Sequence, residues 1–363
     1  MGAVPTSASR RPRRRSALLA LTVAAALVAP SCRRPAPVVN LLETGSSLLY
    51  PLFNRWLPAY QRLHPNVRIT TQSTGSGTGI AQSVVGIAQI GASDAYLSPG
   101  LARLHPDARN IPVAISTQMV NYNLPGLNRR HLRLSGPVLA GIYAGHIRNW
   151  DDPALRRLNP GLPLAHHAIL PLHRTDSSGD TFIFTQYLTF STPAWARSVS
   201  DGTTVSWPAV AGGLGTEGNP GMITALQDDR YAIGYIGTSY EAAIRHAGLG
   251  IAALENRDGN FVLPTAQAAR AAAARRAAQT PGDERISLIF APGPDSYPII
   301  NYEYAVVNRR QPSPQMAAAL RNFLDWAVSP GGGNAPQFLQ PEHFVALPAS
   351  VARLSRAQIR QIH

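Results

Sequence analysis

Hydrophobic positions along this chain follow two alternating periods. Short apolar runs of strand character occur at Val38–Leu42, Val67–Thr71, Ala88–Ala92, Ile111–Ile115, Gln118–Asn123, Ala168–Leu172, Tyr231–Ile236 and Ile299–Val307. Between them apolar residues recur at helical spacing: Leu52, Phe53, Trp56, Leu57, Tyr60 and Leu63, then Ile80, Val84 and Ile87, then Phe184, Tyr187 and Leu188. Val138–Tyr143 is a further apolar run. Thr265 is placed to cap an Ala-rich helix over Ala266–Gln279, which Pro281 follows. Met316–Val328, with Leu320, Phe323, Leu324 and Ala327 on one face, predicts a closing helix. Strands alternating with helices predict an α/β architecture built on largely parallel sheets.

The N-terminus has a different pattern. Arg10, Arg11, Arg13, Arg14 and Arg15 precede an apolar run from Ala17 to Ala29, then Pro30-Ser31-Cys32. A charged start, a short apolar stretch and small residues predict a secretory signal peptide over residues 1–31. The run is too short to span a bilayer comfortably. Cys32, the single cysteine, falls where cleavage is expected, so it is the candidate lipidation site of a lipoprotein signal. Ala29 and Pro30 depart from the usual lipobox, and ordinary cleavage with Cys32 as a bystander is the alternative. Residues 32–38, which include Arg33-Arg34-Pro35-Ala36-Pro37, read as a tether.

Composition narrows the function. The 363 residues are 45% hydrophobic and 15% charged, enough to bury a sizeable core and too apolar for a disordered chain. One cysteine excludes a disulfide framework and a cysteine-based zinc site. The formal charge of +13 falls to +8 without the five Arg of residues 1–31, and the remaining Arg form no basic stripe interleaved with aromatics. Nucleic acid is therefore not an expected partner.

Three turns have the chemistry of anion sites. Glu43-Thr44-Gly45-Ser46-Ser47-Leu48, Thr74-Gly75-Ser76-Gly77-Thr78-Gly79 and Arg174-Thr175-Asp176-Ser177-Ser178-Gly179-Asp180-Thr181 each lie between a predicted strand and a predicted helix. Free N–H groups and the positive end of the helix dipole meet there, hydroxyls add donors, and glycine lets the backbone approach an anion. Plain N-capping is the bland reading of any one of them; three in one chain, one carrying an Arg, point to a ligand. A P-loop is excluded in its usual form, since the chain has no Lys, and Gly75, Gly77 and Gly79 do not make a dinucleotide fingerprint. Thr74 and Thr78 replace the glycines a nucleophile elbow would need around Ser76. The adjacent pair His166-His167 lacks the spacing of a helical metal site, and neither a metal nor another cofactor is expected.

The segments Thr74–Gly79 with Gly91–Ala95, Arg174–Leu188, Asn123–Gly126, Ile142–Gly145 with Asn149–Pro153, and Tyr297–Tyr302 together resemble the phosphate-binding proteins of ABC phosphate importers, the PstS family. The likeness covers nearly the whole chain after Cys32 and is nearest to the lipid-anchored form. It implies a two-lobed class II periplasmic-binding-protein-like fold with a hinge and an interlobe ligand cleft. Lobe I would comprise residues 39–114 and 300–363, lobe II residues 115–299, with crossings near Ala114 and Ile299.

Carried over position by position, the resemblance gives Ser46, Ser47, Leu48, Ser76, Asp94, Arg174, Ser178, Gly179 and Asp180 as the phosphate-binding set. Leu48 stands where the family has an aromatic ring and Asp180 where it commonly has Thr, which leaves the preferred protonation state of the ligand open. The implied activity is non-catalytic: extracytoplasmic capture of inorganic phosphate by a monomer held to the membrane by its lipid, with delivery to permease subunits that couple to a cytoplasmic ATPase. The alternatives are a receptor for another tetrahedral oxyanion, a surface interaction lipoprotein, or a phosphate-ester enzyme using Ser76 or Ser178 with His173 near Arg174.

Overall fold

The structure is a computed structural model, and it describes residues 1–8 and 37–363. The chain divides into the units Met1–Ala36 and Pro37–His363. Of the first, residues 1–8 are exposed coil. The expected signal segment beyond them, Cys32 and most of the tether lie outside the described residues. Among those described, no helix is long and apolar enough to cross a membrane.

The second unit runs β1 (Val39–Gly45), α1 (Tyr50–Leu63), β2 (Val67–Ser73), α2 (Ser76–Val84), β3 (Ile90–Ser93), α3 (Pro99–Leu104), β4 (Ala108–Tyr122), β5 (Arg133–Leu134), α4 (Gly136–Tyr143) and α5 (Pro153–Leu158). It continues through β6 (Leu170–Arg174), α6 (Gly179–Ser191), α7 (Pro193–Ser198), β7 (Leu214–Thr216), α8 (Gly218–Asp228), β8 (Ala232–Gly237), α9 (Glu241–His246), β9 (Gly250–Ile251), β10 (Ala253–Glu255) and β11 (Phe261–Val262). It closes with α10 (Ala266–Arg276), β12 (Ile300–Asn308), α11 (Pro314–Ala327), α12 (Pro336–Leu339) and α13 (Ala349–Ile359).

The main sheet has the order β2-β1-β3-β12-β4-β8-β6-β7, with β9 also on β4. It is mixed, which corrects the expectation of largely parallel sheets. β1, β2 and β3 are parallel, and so are β6, β7 and β8. β12 is antiparallel to β3 and β4, and β4 is antiparallel to β8. The antiparallel pairings of this sheet all involve β4 or β12.

β4 also joins two runs that the apolar pattern separates, Ile111–Ile115 and Gln118–Asn123. Ser116 and Thr117 interrupt the pattern but are buried, because the strand changes partner there: Ala108–Thr117 pair with β12, and Gln118–Tyr122 with β8. The run Val138–Tyr143 is the helix α4, opened by Ser135, whose side chain accepts from Val138 N. Ile87 lies past the end of α2 and is exposed, so it does not continue that helix face.

α1 and α11 pack together on the first half of the sheet. Leu52, Phe53, Trp56, Leu57 and Tyr60 of α1 are buried, as the helical spacing requires, whereas Leu63 is exposed. Trp56 packs edge-on against Phe323 and Trp326 of α11, and its indole N–H donates to Gly333 O at 2.9 Å. That packing anchors the middle of α1, the helix that the first turn opens. In the second half, Phe184 of α6 stacks on Tyr235 of β8 with ring centroids 4.5 Å apart, which seats the start of α6 against the sheet. Trp150 and Tyr302 are buried packing residues; the Trp150 indole donates to Tyr231 O.

Candidate functional site

The three turns meet at one buried place. The first joins β1 to α1. Its Ser46 side chain accepts from Leu49 N at 3.0 Å and donates to Asp94 Oδ1, so it holds Asp94 rather than capping in the usual frame. The second joins β2 to α2. Gly75 occupies the cap position with φ +87°, a conformation glycine adopts without strain, and no side chain caps this helix. Ser76 Oγ instead accepts from Asp94 N at 3.1 Å. The third turn joins β6 to α6. Here Ser178 does cap, accepting from Thr181 N at 3.2 Å.

Contacts between the turns are close. Gly77 N donates to Ser177 O at 2.9 Å. A Cβ on Gly179 would lie 2.3 Å from both Asp94 Oδ2 and Ser76 Oγ, so only glycine lets the start of α6 approach them. Asp94, at the end of β3, is buried, and its Oδ2 has no hydrogen-bond partner among the protein groups. Burial raises the Asp94 carboxyl, and Asp180 raises it further, against the hydrogen bonds of Glu303 and Ser46 and the charge of Arg174.

Arg174, on the last position of β6, is the cation of the site, and its side chain is 1% exposed. Its guanidinium makes a two-point contact with Asp176, Nε to Oδ1 at 2.6 Å and Nη2 to Oδ2, while Nη1 reaches Asp180 Oδ2 at 2.7 Å. Burial alone would lower the Arg174 pKa; the two aspartates raise it overall, so the charge is fixed. Asp176 is held below the usual carboxylate range despite its partial burial, because Arg174 pairs with it. Asp180 is raised by burial, against the opposing pull of Arg174, Asn219 and Gln118.

A second chain of contacts ties the first turn to Asp180. Asn219, at the start of α8, donates through Nδ2 to Ser47 Oγ at 2.9 Å and to Asp180 Oδ2 at 2.8 Å. Its Oδ1 accepts from Gly237 N at 2.9 Å. Gln118 Nε2, just past the change of partner in β4, donates to Asp180 Oδ1 at 3.0 Å. Leu48 is fully buried against Gly237, and its carbonyl accepts from Ser239 Oγ at 2.7 Å. All nine sequence-predicted residues thus belong to one cluster.

Asp176, Asn219, Gln118 and Glu303 were not among them. Asp176 sits inside a turn already singled out, two residues from the Arg it pairs with. Asn219 follows β7 in Glu217-Gly218-Asn219-Pro220, a fourth strand-to-helix turn. Glu303 is an acid inside an otherwise β-like run, which is itself a signal. His173 alternates to the other face of β6 from Arg174 and packs beside the Trp207 ring, with centroids 5.2 Å apart. Among the described residues no group of three or more His, Cys, Asp and Glu could hold a metal ion.

Fold and site together define a two-lobed binding protein of the periplasmic-binding-protein class. The family model described as "PBP superfamily domain" matches residues 32–330. The phosphate-binding protein PstS of Methanocaldococcus jannaschii is 33% identical over 356 residues, covering 92% of this chain and 89% of that protein. PstS of Pasteurella multocida is 32% identical over 319 residues, covering 88% and 89%. The chain belongs to the PstS family of phosphate-binding proteins. Among solved structures, the high-affinity periplasmic phosphate-binding protein PfluDING, bound with phosphate, superposes with a TM-score of 0.69 at 19% identity, covering 88% of this chain and 93% of that one. A phosphate-binding protein from Stenotrophomonas maltophilia gives 0.67 at 20% identity, covering 88% and 94%. These two likenesses concern the fold.

Proposed function

We propose that this protein captures inorganic phosphate between its two halves and delivers it to an ABC phosphate importer. The observation that carries the reading is the unpartnered Oδ2 of Asp94, buried beside the N-terminal turns of α1, α2 and α6 and near the fixed charge of Arg174. Backbone N–H groups at those helix starts, with the hydroxyls of Ser47, Ser76 and Ser178, are donors for phosphate oxygens, while the Ser46 O–H is given to Asp94. Leu48 and Gly179 contribute backbone only. Arg174 offers a planar fork suited to phosphate.

Asp94 supplies the selectivity. An ionised carboxylate only accepts hydrogen bonds. Inorganic phosphate keeps at least one proton near neutral pH and can donate it; sulfate is fully ionised and cannot. Sulfate would therefore leave a repelling, desolvated carboxylate unpaired, and a site built around a polar partner rejects an analogue lacking it by up to about 10⁴–10⁵-fold. Asp180 is already engaged by Arg174, Asn219 and Gln118, so in this reading its first role is to hold Arg174 and the first turn in register; a spare lone pair could take a second P–OH.

The lobes of the reading are residues 39–114 with 300–363, and 115–299; the change of partner within β4 supports a crossing in that stretch. Asp94 and the first two turns belong to one lobe and Arg174–Asp180 to the other, so a bound anion bridges them and favours the closed form that a permease reads. The protein acts as a monomer outside the cytoplasm without catalysis, tethered through lipid on Cys32; the sequence pattern of residues 1–32 supports that placement. Calorimetric titration of the chain beginning after Cys32, stripped of ligand, tests the function. One-to-one phosphate binding without a sulfate signal supports it; equal binding of both, or none, contradicts it.

A further inference from the structure

Glu303, on β12, is fully buried and has no role in binding the anion itself. The strand bulges there, with a register shift between Glu303 and Tyr304. β12 pairs antiparallel with β3, Tyr304 opposite Ser93, so Glu303 stands opposite Asp94 where that register continues, and each carboxyl group bears on the other's ionisation. Each also takes one hydroxyl donor, Ser46 on Asp94 Oδ1 and Ser116 on Glu303 Oε1 at 2.5 Å. Each keeps one oxygen, Asp94 Oδ2 and Glu303 Oε2, without another donor. Two carboxylates cannot both be ionised in a dry contact, so the pair holds a proton.

The groups around them decide where it sits. Asp94 is reached by Ser46 from the first turn, by Ser76 through its backbone N–H, and by the charge of Arg174. Glu303 is faced by Ser116 from β4 and by the charges of Asp94 and Asp180. Burial and Asp180 disfavour ionisation of both groups, but at Asp94 the Ser46 hydrogen bond and the charge of Arg174 oppose them, whereas Glu303 faces the further charge of Asp94 with only Ser116 to offset it.

We infer that Glu303 is a positioning residue for Asp94, a neutral carboxyl group whose O–H donates to Asp94 and keeps it an acceptor for the ligand's P–OH. An ionised carboxylate has about four lone-pair positions. Ser46 and Glu303 occupy two, and the others remain for the ligand. Two consequences follow. At alkaline pH the ligand-free protein releases the Glu303 proton to solvent, and anion binding must take it back, so affinity falls and binding consumes a proton. Without the Glu303 donor, Asp94 is protonated more readily and itself becomes a donor, which sulfate can accept.

The inference rests on Asp94 contacting the ligand, and the test separates the two claims. Phosphate and sulfate are titrated calorimetrically across the neutral and alkaline range, in two buffers of different ionisation heat, into wild type, Glu303→Gln, Glu303→Leu and Asp94→Asn. Glu303→Gln, which keeps a donor but cannot ionise, should retain neutral-pH affinity within about threefold and lose the extra alkaline fall and proton uptake. Glu303→Leu should narrow the phosphate-to-sulfate ratio by about tenfold, the equivalent of one pKa unit. If both Glu303 variants keep the wild-type pH profile and ratio, and only their melting temperatures change, Glu303 is purely structural and the inference is overturned. If Asp94→Asn also leaves the ratio unchanged, it is the assignment of Asp94 that has failed.

Discussion

Gly179 lies so close to Asp94 that a methyl group added to it would come within 2.3 Å of Asp94 Oδ2. The two residues belong to different turns, one opening α6 and one ending β3, and Asp94 cannot yield because Ser46, Ser76 and Asn301 hold it. Gly179→Ala should therefore fold normally but resist closure. We expect phosphate affinity to fall at least tenfold, about 1.4 kcal/mol, with little change in the ligand-free melting temperature. Solution scattering with and without phosphate checks this: the variant should compact less than wild type on adding ligand.

Much of this contact was legible in the sequence. Glycines and hydroxyls at strand-to-helix junctions have a direct physical meaning, and the three turns they marked are the three that meet. The apolar period of α1 likewise named its buried face, apart from Leu63. What the pattern could not give was pairing direction and long-range partners. Ser116 and Thr117 look like a break between strands, yet they are buried where one strand changes partner. Asn219 lies 172 residues from the Ser47 it contacts, and no local period relates them. Gln118 and Glu303 are polar residues in apolar strands, so their burial was readable only as an anomaly.

Arg174 is a buried positive charge held between the acids Asp176 and Asp180. Arg174→Met should abolish phosphate binding and also destabilise the fold, because Asp176 and Asp180 lose their counter-ion. Breaking one side of a buried pair costs about 3–5 kcal/mol. Denaturant unfolding at neutral pH should show a loss of that order. The deficit should shrink on acidification, as protonation removes the uncompensated charges. A variant as stable as wild type at neutral pH would mean that the acids are not relying on Arg174.

Glu43, in β1, is buried, with Thr71 Oγ1 donating to one oxygen and none to the other. Burial pushes its pKa up to about 8 from 4.5. The folded state thus binds a proton that the unfolded state releases between those values. Its contribution is fully present below about 4.5 and is lost as pH rises towards 8, at up to about 1.4 kcal/mol per unit. Glu43→Gln should therefore raise the melting temperature above pH 8 and change it little near pH 4.5. Equal effects at both ends would show that Glu43 does not titrate across this window.

The central claim is that Asp94 reads the proton of bound phosphate. Its most direct test is the ratio of phosphate to sulfate affinity in Asp94→Asn, measured by calorimetry beside wild type at the same pH and ionic strength. Asparagine keeps the shape but adds an N–H₂ donor and removes the charge. The account predicts weaker phosphate binding, measurable sulfate binding and a ratio that collapses by orders of magnitude. A ratio unchanged from wild type would contradict it.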